Sequence, residues 1–328
     1  MDLSPSELLV ADESSLIALC RTAAKEGHII GGHVGGDHVV RISDTIAVKY
    51  GLDVSASEAV AQRFAYEVLR PGVVQVPKVH RFFISTRPGD PVGYLFMEYI
   101  PGRTPTDDDL DPGNENCIIP RITSIINSLG NIHSSTPGPV GGGCPKGYIF
   151  GDDGASAPLA SIDEVSTYLD KRLEYRSDTI DLSPYPLIFC HGDICRRNIL
   201  VKDDGSLYLV DWGYAGFYPR FSELLALSFV TPFDATFVKP LKEEVLGAMD
   251  LAEAEQRDMK LVSFVRGANL RWSFDDRSPT EVESYHESLK KAFSSSRPLD
   301  IEATNPPAKE DAVTEPRSNG KDREEPNT

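Results

Sequence analysis

Residues 191–213 read HGDICRRNILVKDDGSLYLVDWG, in which polar residues follow the ends of two short apolar runs. The first run, Leu187–Cys190, stops at His191, and the second, Leu207–Val210, stops at Asp211. Asp203-Asp204-Gly205 lies between the two arms of this stretch and is typical of a turn. We therefore predict short strands joined by a hairpin, with polar side chains delivered to the strand ends.

Three of these polar residues, Asp193, Asn198 and Asp211, carry the groups that phosphoryl transfer uses. This reaction needs a carboxylate that orients a hydroxyl and oxygen ligands that hold Mg²⁺ on nucleotide phosphates. The five-residue step from Asp193 to Asn198 allows one loop to present both side chains to one cleft, and Asp211 arrives on the opposite arm of the hairpin. A simpler interpretation makes Asp193 and Asn198 turn caps and Asp211 a strand end. That interpretation leaves the shared hairpin unexplained.

The pattern His191-Gly192-Asp193 with Asn198, followed by Asp211-Trp212-Gly213, resembles the aminoglycoside phosphotransferase and choline kinase family. That family is similar in turn to protein kinases. The continuation at residues 215–219, with Glu223, resembles the form found in fungal members. The resemblance spans roughly residues 29–274 and is weakest between residues 104 and 183.

The resemblance implies an α+β, two-lobed, protein-kinase-like fold. It also implies that Asp193 is the catalytic base, that Asn198 and Asp211 are the metal ligands, and that His191 braces the loop. We expect a nucleotide-binding lobe with a small antiparallel sheet at residues 1–97 and a mainly helical catalytic and substrate lobe at 98–293. Residues 294–328 are polar, charged and rich in Pro, which predicts a disordered tail.

Local patterns predict the elements of the first lobe. Val39–Ile42 and Thr45–Lys49 are β-prone runs around a Ser-Asp turn, which indicates a hairpin. Ser55 precedes apolar residues at helical spacing, so one helix is expected to begin there. Further strands are expected at 81–84 and 93–99. In the second lobe the spacing predicts helices at 118–133, 162–175, 221–229, 241–270 and 282–293.

Lys49 ends a β-prone run, as does the phosphate-binding lysine of kinase-like families. A buried lysine there needs an acidic partner. The resemblance implies Glu58, at the start of the following helix, as the preferred candidate, because residues 58–79 match the family's helix and the Pro-containing segment after it. Glu67 is the alternative. Without such a partner, Lys49 would be a solvated lysine at a strand end and Glu58 a first-turn acid favoured by the helix dipole.

Two further positions follow from the resemblance. The glycine-rich residues 31–36 lie where a phosphate-covering loop is expected, although they depart from GxGxxG and an ordinary turn remains an alternative. The run Leu95–Gly102 resembles the linker between lobes, where adenine would contact main-chain groups of Glu98 and Ile100. An ordinary strand that ends in a Pro-Gly turn is the alternative there.

Composition restricts the partners. The 328 residues carry a formal net charge of −17, which repels nucleic acids and anionic membranes. Long apolar runs and a secretory signal are absent from the sequence, and five cysteines are scattered without a framework. We therefore expect an intracellular, cytoplasmic protein with reduced thiols and no nucleic-acid or membrane partner.

The sequence thus predicts an ATP- and Mg²⁺-dependent phosphotransferase that acts on the hydroxyl of a small molecule. Two alternatives remain open at this point. A pseudokinase would use the fold as a binding module, although it would not need to keep Lys49, Asp193, Asn198 and Asp211 together. A protein-directed kinase would share the chemistry, but an Ala-Pro-Glu segment after Asp211 is absent.

Overall fold

The computed structural model describes residues 4–32, 36–69, 72–85, 91–151, 154–230, 233–272 and 274. All of them belong to one compact unit, Met1–Arg277. The helix expected at 282–293 and the tail expected at 294–328 lie outside the described residues, as do residues 33–35 of the glycine-rich stretch.

The first part of the chain forms a five-stranded antiparallel sheet with the order β1-β2-β3-β5-β4. Its strands are β1 (Ile29–Gly32), β2 (His38–Arg41), β3 (Ile46–Gly51), β4 (Val79–Ser85) and β5 (Val92–Glu98). The expected hairpin is present as β2 and β3, in which Val39 pairs with Lys49. Central strand β3 also pairs with β5, so Lys49 lies in the middle of the sheet opposite Leu95.

Three helices accompany this sheet, whereas the sequence patterns predicted one. Helices α1 (Pro5–Val10) and α2 (Glu13–Lys25) begin at side-chain caps, Ser4 and Asp12. Their apolar residues, which include Leu8 and Leu16, pack against one face of the sheet. The predicted helix is α3 (Ala56–Val68), whose N-cap is Ser55 as expected.

The second part is mainly helical and contains α4 (Ile119–Gly130), α5 (Ile162–Leu173), α6 (Phe221–Val230), α7 (Ala235–Met249) and α8 (Glu253–Arg271). The prediction of one helix at 241–270 was wrong. Asp250 adopts a left-handed conformation, with φ 44°, and ends α7. Helix α4 ends before the predicted limit, and His133 begins a short strand instead.

Short strands in this part carry the polar stretches. They are β6 (His133–Ser134), β7 (Gly138–Pro139), β8 (Leu187–Cys190), β9 (Ile199–Val201), β10 (Leu207–Leu209) and β11 (Gly216–Pro219). Strands β6, β8, β11 and β7 form one sheet in that order, and β9 pairs with β10 as the predicted hairpin. The α+β architecture, an antiparallel sheet followed by a mainly helical part, is therefore confirmed.

Aromatic packing joins the two parts beneath the polar stretch. The ring of Phe64, on α3, lies edge-on to Phe189 at 5.1 Å and to Phe217 at 5.9 Å. Phe189 stacks in turn on Trp212, which is fully buried. Since α3 is packed in this way on β8 and β11, its first turn is held close to Asp211. Within the described residues, no helix is long and apolar enough to cross a membrane.

Candidate active site

The loop after β8 requires a glycine and a neutral histidine. Gly192 has φ 78°, and a Cβ atom there would approach the Tyr214 carbonyl oxygen to 2.9 Å, so larger residues are excluded. The His191 ring is buried, hydrogen-bonds the Val210 carbonyl oxygen through Nε2 at 3.1 Å and packs on Trp212. Burial lowers the pKa of His191 to about 4, so the ring is neutral and braces the loop.

Glu223 holds the same loop from α6, and the sequence patterns assigned it no role. Its buried carboxylate accepts hydrogen bonds from the main-chain N–H groups of His191, at 2.6 Å, and Gly192, at 3.2 Å. Burial raises the pKa of Glu223 to about 7, although these N–H groups oppose the rise. The only hint of Glu223 in the sequence was that it follows residues 215–219, which resemble the family. The contact with the loop depends on how α6 packs.

Asp193 is 6% exposed and receives three donors. Asn198 Nδ2 donates to the Asp193 carbonyl oxygen and to Oδ2, both at 2.9 Å. Arg197 Nη2 donates to Oδ2 at 2.7 Å, and the Tyr148 hydroxyl donates to Oδ1 at 2.9 Å. Burial raises the pKa of Asp193, and the Arg197 guanidinium opposes that rise. The five-residue step therefore brings Asp193 and Asn198 together as expected, whereas Tyr148 and Arg197 were not foreseen.

Asp211 follows β10 in a left-handed conformation, with φ 68°, which is strained for a residue other than glycine. The N–H of Val210 donates to the Asn198 carbonyl oxygen at 2.9 Å, so the hairpin places Asp211 beside Asn198. The Asp211 side chain is 40% exposed. A partly exposed carboxylate at Asp211 and an amide side chain at Asn198 supply oxygen ligands of the kind that Mg²⁺ prefers.

Lys49 connects the sheet to this hairpin. Its Nζ lies 2.8 Å from Glu58 Oε1 and 2.9 Å from Asp211 Oδ1. The Glu58 side chain is 2% exposed, whereas the alternative partner Glu67 is exposed on the other side of α3. The structure thus brings Lys49, Glu58 and Asp211 into contact.

The electrostatics of this group follow from burial and from the shared cation. Burial raises the pKa of Glu58 to about 7 in spite of Lys49. Burial would lower the pKa of Lys49, but the two carboxylates raise it well above its ordinary value. For Asp211, burial acts to raise the pKa and Lys49 outweighs it, so that the pKa is lowered. Lys49 therefore stays positively charged between the two carboxylates.

The expected linker follows β5 directly. The Glu98 N–H donates to the Lys78 carbonyl oxygen and the Tyr99 N–H to the Thr45 carbonyl oxygen. The Gly102 N–H donates to the Ile100 carbonyl oxygen. The Ile100 N–H is not used by these hydrogen bonds. Of the glycine-rich stretch, Gly31 and Gly32 belong to β1, which leaves its expected phosphate contacts as a prediction.

A second concave region lies away from these residues. A groove of about 730 Å³ is lined by residues that include Pro186, Ile188 and Arg220. These residues are at the beginning of β8 and after β11, whereas His191 and Asp193 follow the end of β8. Over the described part of the chain, no group of three or more His, Cys, Asp or Glu side chains has the arrangement of a metal site.

One protein-family profile matches most of the chain, including the residues of the candidate site. The sequence profile of the phosphotransferase enzyme family (APH) matches residues 35–257, which include Lys49, Asp193 and Asp211. The chain belongs to this family. The resemblance inferred from the HGD and Asp-Trp-Gly motifs is confirmed. A search of curated proteins found no match.

Solved structures of this kind are similar at low sequence identity. A thermostable mutant of aminoglycoside phosphotransferase APH(4)-Ia is 13% identical, with a TM-score of 0.49 over 82% of this chain and 94% of that one. Amicoumacin kinase hAmiN, in complex with AMP-PNP, Ca²⁺ and Ami, is 12% identical, with a TM-score of 0.49 over 88% and 98%. Choline kinase LicA from Streptococcus pneumoniae is 15% identical, with a TM-score of 0.39 over 86% and 100%.

Proposed function

We propose that this member of the phosphotransferase family transfers the γ-phosphate of ATP, with Mg²⁺, to a hydroxyl group of a small molecule. The observation that carries the proposal is the convergence of Lys49 and Asp211, 162 positions apart, on one ion pair beside the Asp193–Asn198 hydrogen bonds. Family membership supports the reaction class, and the chemistry of these side chains supports the detail.

In this proposal Asp193 orients the acceptor hydroxyl and takes its proton, as the catalytic base. Burial raises the pKa of Asp193, which increases its basicity, and the Arg197 guanidinium favours the ionised form. The hydroxyl oxygen forms a bond to the γ-phosphorus as the bond to the ADP oxygen breaks. Lys49, whose positive charge is stabilised by Glu58, grips the phosphates.

Asn198 and Asp211 would hold Mg²⁺. Asn198 donates both of its described side-chain hydrogen bonds through Nδ2, which leaves Oδ1 as an acceptor beside the exposed Asp211 carboxylate. When bound there, Mg²⁺ would neutralise charge on the phosphate oxygens. Adenine would contact the main chain of Glu98 and Ile100, between a nucleotide lobe at 1–97 and a catalytic lobe at 98–293.

We also propose that the protein is cytoplasmic and has no nucleic-acid partner. All five cysteines are free, and two of them, Cys190 and Cys195, are buried next to the catalytic loop. Free thiols fit the reducing cytoplasm. The net charge of −17 disfavours nucleic acid as a partner or substrate.

The test is ATP turnover by Asp193→Ala against a metabolite library, with mass detection of the phosphorylated product. We expect turnover to fall by roughly 10²–10⁴-fold, the usual contribution of a general base. Binding of AMP-PNP with Mg²⁺, measured by calorimetry, should persist. The matched control is Asp204→Ala, an exposed aspartate in the β9–β10 turn. Wild-type turnover in Asp193→Ala would refute the proposal, and nucleotide binding without any turnover in the wild type would favour a pseudokinase.

A further inference from the structure

Three donors already bind the carboxylate proposed as the catalytic base, which has about four acceptor positions. Oδ2 accepts from Arg197 and Asn198, at 2.7 and 2.9 Å, and Oδ1 accepts from the Tyr148 hydroxyl at 2.9 Å. With 6% of Asp193 exposed, little of the carboxylate is left for solvent. An acceptor hydroxyl would therefore have to bind at Oδ1, where the Tyr148 hydroxyl already donates.

Tyr148 is the donor that an acceptor hydroxyl would replace. Asn198 and Arg197 are both on the catalytic loop and hold Oδ2 within it. Tyr148 comes from a separate segment, 45 positions earlier, and presents a hydroxyl to Oδ1. Its distance of 2.9 Å is within the range of about 2.6–3.2 Å that a reacting hydroxyl requires. The Tyr148 phenol is thus a hydroxyl group at the distance from Asp193 Oδ1 that is expected for the hydroxyl of an acceptor.

The surrounding residues hold the Tyr148 ring in this place. It lies edge-on to Tyr214 at 5.8 Å and next to Phe229 at 5.7 Å. The Arg266 guanidinium, on α8, lies 4.8 Å from the centre of the Tyr148 ring and 4.8 Å from that of Phe229. The adjacent main chain is fixed, because Asn269 Nδ2 donates to the Ile149 carbonyl oxygen at 2.9 Å. An acceptor would therefore displace the hydroxyl by turning the Tyr148 side chain and not by moving the main chain.

We propose that the Tyr148 hydroxyl occupies the position of the acceptor hydroxyl on Asp193 and keeps water from the base until an acceptor displaces it. This inference rests on the proposed function, since it requires Asp193 to be the base. Tyr148 is a positioning residue in this scheme. Its removal lets a water molecule take the place on Oδ1. The water oxygen then bonds to the γ-phosphorus as the bond to ADP breaks, the water proton passes to Asp193 Oδ1, and the products are ADP and phosphate.

Tyr148→Phe tests this directly, because it keeps the packed ring and removes only the hydroxyl. The measurement is ATP hydrolysis with Mg²⁺ and no acceptor, so no substrate has to be known. We expect the variant to hydrolyse ATP faster than the wild type by on the order of five- to tenfold, the factor that one hydrogen bond is worth. The matched control is Tyr218→Phe. The Tyr218 hydroxyl is buried without a hydrogen-bond partner among the described residues, and its removal should leave hydrolysis unchanged.

A second variant separates this inference from the proposed function. In Tyr148→Phe combined with Asp193→Asn, the gain in hydrolysis should disappear, while AMP-PNP with Mg²⁺ still binds. Unchanged or slower hydrolysis in Tyr148→Phe, with nucleotide binding intact, would overturn the role of Tyr148 alone. Phosphate found on the Tyr148 peptide by mass spectrometry would also overturn it, since Tyr148 would then be an acceptor itself. Failure of the wild type to bind ATP would remove both proposals.

Discussion

Asp193 and Asp211 are both proposed site residues, but they are held in different ways. Asp193 is almost buried, and its partners Tyr148, Arg197 and Asn198 all belong to the mainly helical part of the chain. Asp211 is partly open, and its ion-pair partner Lys49 belongs to the five-stranded sheet. The proposed acceptor side is thus complete within one part of the protein, whereas the proposed nucleotide side requires both.

The difference also concerns the kind of interaction. Hydrogen bonds from fixed neighbours hold Asp193, so its protonation depends on burial and on Arg197. On the nucleotide side one ammonium is shared by two carboxylates, and an incoming phosphate would compete with Asp211 for it. Substitutions on the nucleotide side should therefore affect both nucleotide binding and stability, whereas those around Asp193 should affect mainly turnover and its pH dependence.

Lys49→Ala should have the largest effect. It removes the cation that links the two parts and leaves the buried Glu58 unpaired. We expect kcat/KM for ATP to fall by about 100- to 1000-fold, and the free energy of unfolding to fall by roughly 3 kcal/mol. Turnover assays and urea unfolding measure the two effects. Lys25→Ala, at the exposed end of α2, is the control, and near-normal activity in Lys49→Ala would break the comparison.

Glu223→Gln should change how stability depends on pH. The native pKa of Glu223 is about 7, above its ordinary value of 4.5, so the native state retains a proton that the unfolded state releases. The stabilisation is present at low pH and is lost as pH rises through 7. Between pH 5 and pH 8 the free energy of unfolding of the wild type should fall by on the order of 2 kcal/mol more than that of the variant.

Urea unfolding at several pH values measures this difference. His191 acts in the opposite direction, because its pKa is lowered to about 4. It reduces the stability of the native state as pH falls below the ordinary pKa of histidine, and it does so equally in the wild type and the variant. Glu253→Gln, an exposed change in the first turn of α8, should follow the wild type. Parallel curves for the wild type and Glu223→Gln would contradict the raised pKa of Glu223.

Arg197→Met should change the pH dependence of turnover and thereby test the acceptor side of the comparison. The guanidinium, 64% exposed, opposes the rise in the pKa of Asp193, so its loss should raise that pKa further. Because the base must be ionised, the acid limb of the kcat/KM profile should move to higher pH. Turnover at pH 5.5 should then fall several-fold relative to turnover at pH 8. Lys260→Met, on the exposed face of α8, serves as the control, and an unshifted profile would exclude this role.

Phe64→Leu should have the smallest effect and should act on the nucleotide side. The ring packs α3 against Phe189 and Phe217, and α3 carries Glu58. We expect a loss of about 1 kcal/mol in stability, as for other conservative core substitutions. Calorimetry with AMP-PNP should show nucleotide binding weakened by a few-fold, while acceptor-free hydrolysis at saturating ATP stays nearly unchanged. The reverse pattern would show that α3 supports Asp193 instead.

The sequence by itself determined the chemistry-bearing core of the site. The hairpin that carries Asn198 and Asp211 and the step from Asp193 to Asn198 follow from local patterns, because turn signals and strand periodicity report contacts between residues that are close along the chain. The pairing of Lys49 with Glu58 was implied by the family resemblance, with Glu67 left as the alternative.

The tertiary structure decided the rest. Tyr148 reaches Asp193 from the segment where the family resemblance is weakest, and Glu223 reaches the same loop from α6. Helices α1 and α2 are held against the sheet by packing, and the break at Asp250 depends on a single left-handed residue. Such contacts join segments whose separation in sequence carries no periodic signal, because burial and loop closure, and not local propensity, bring them together.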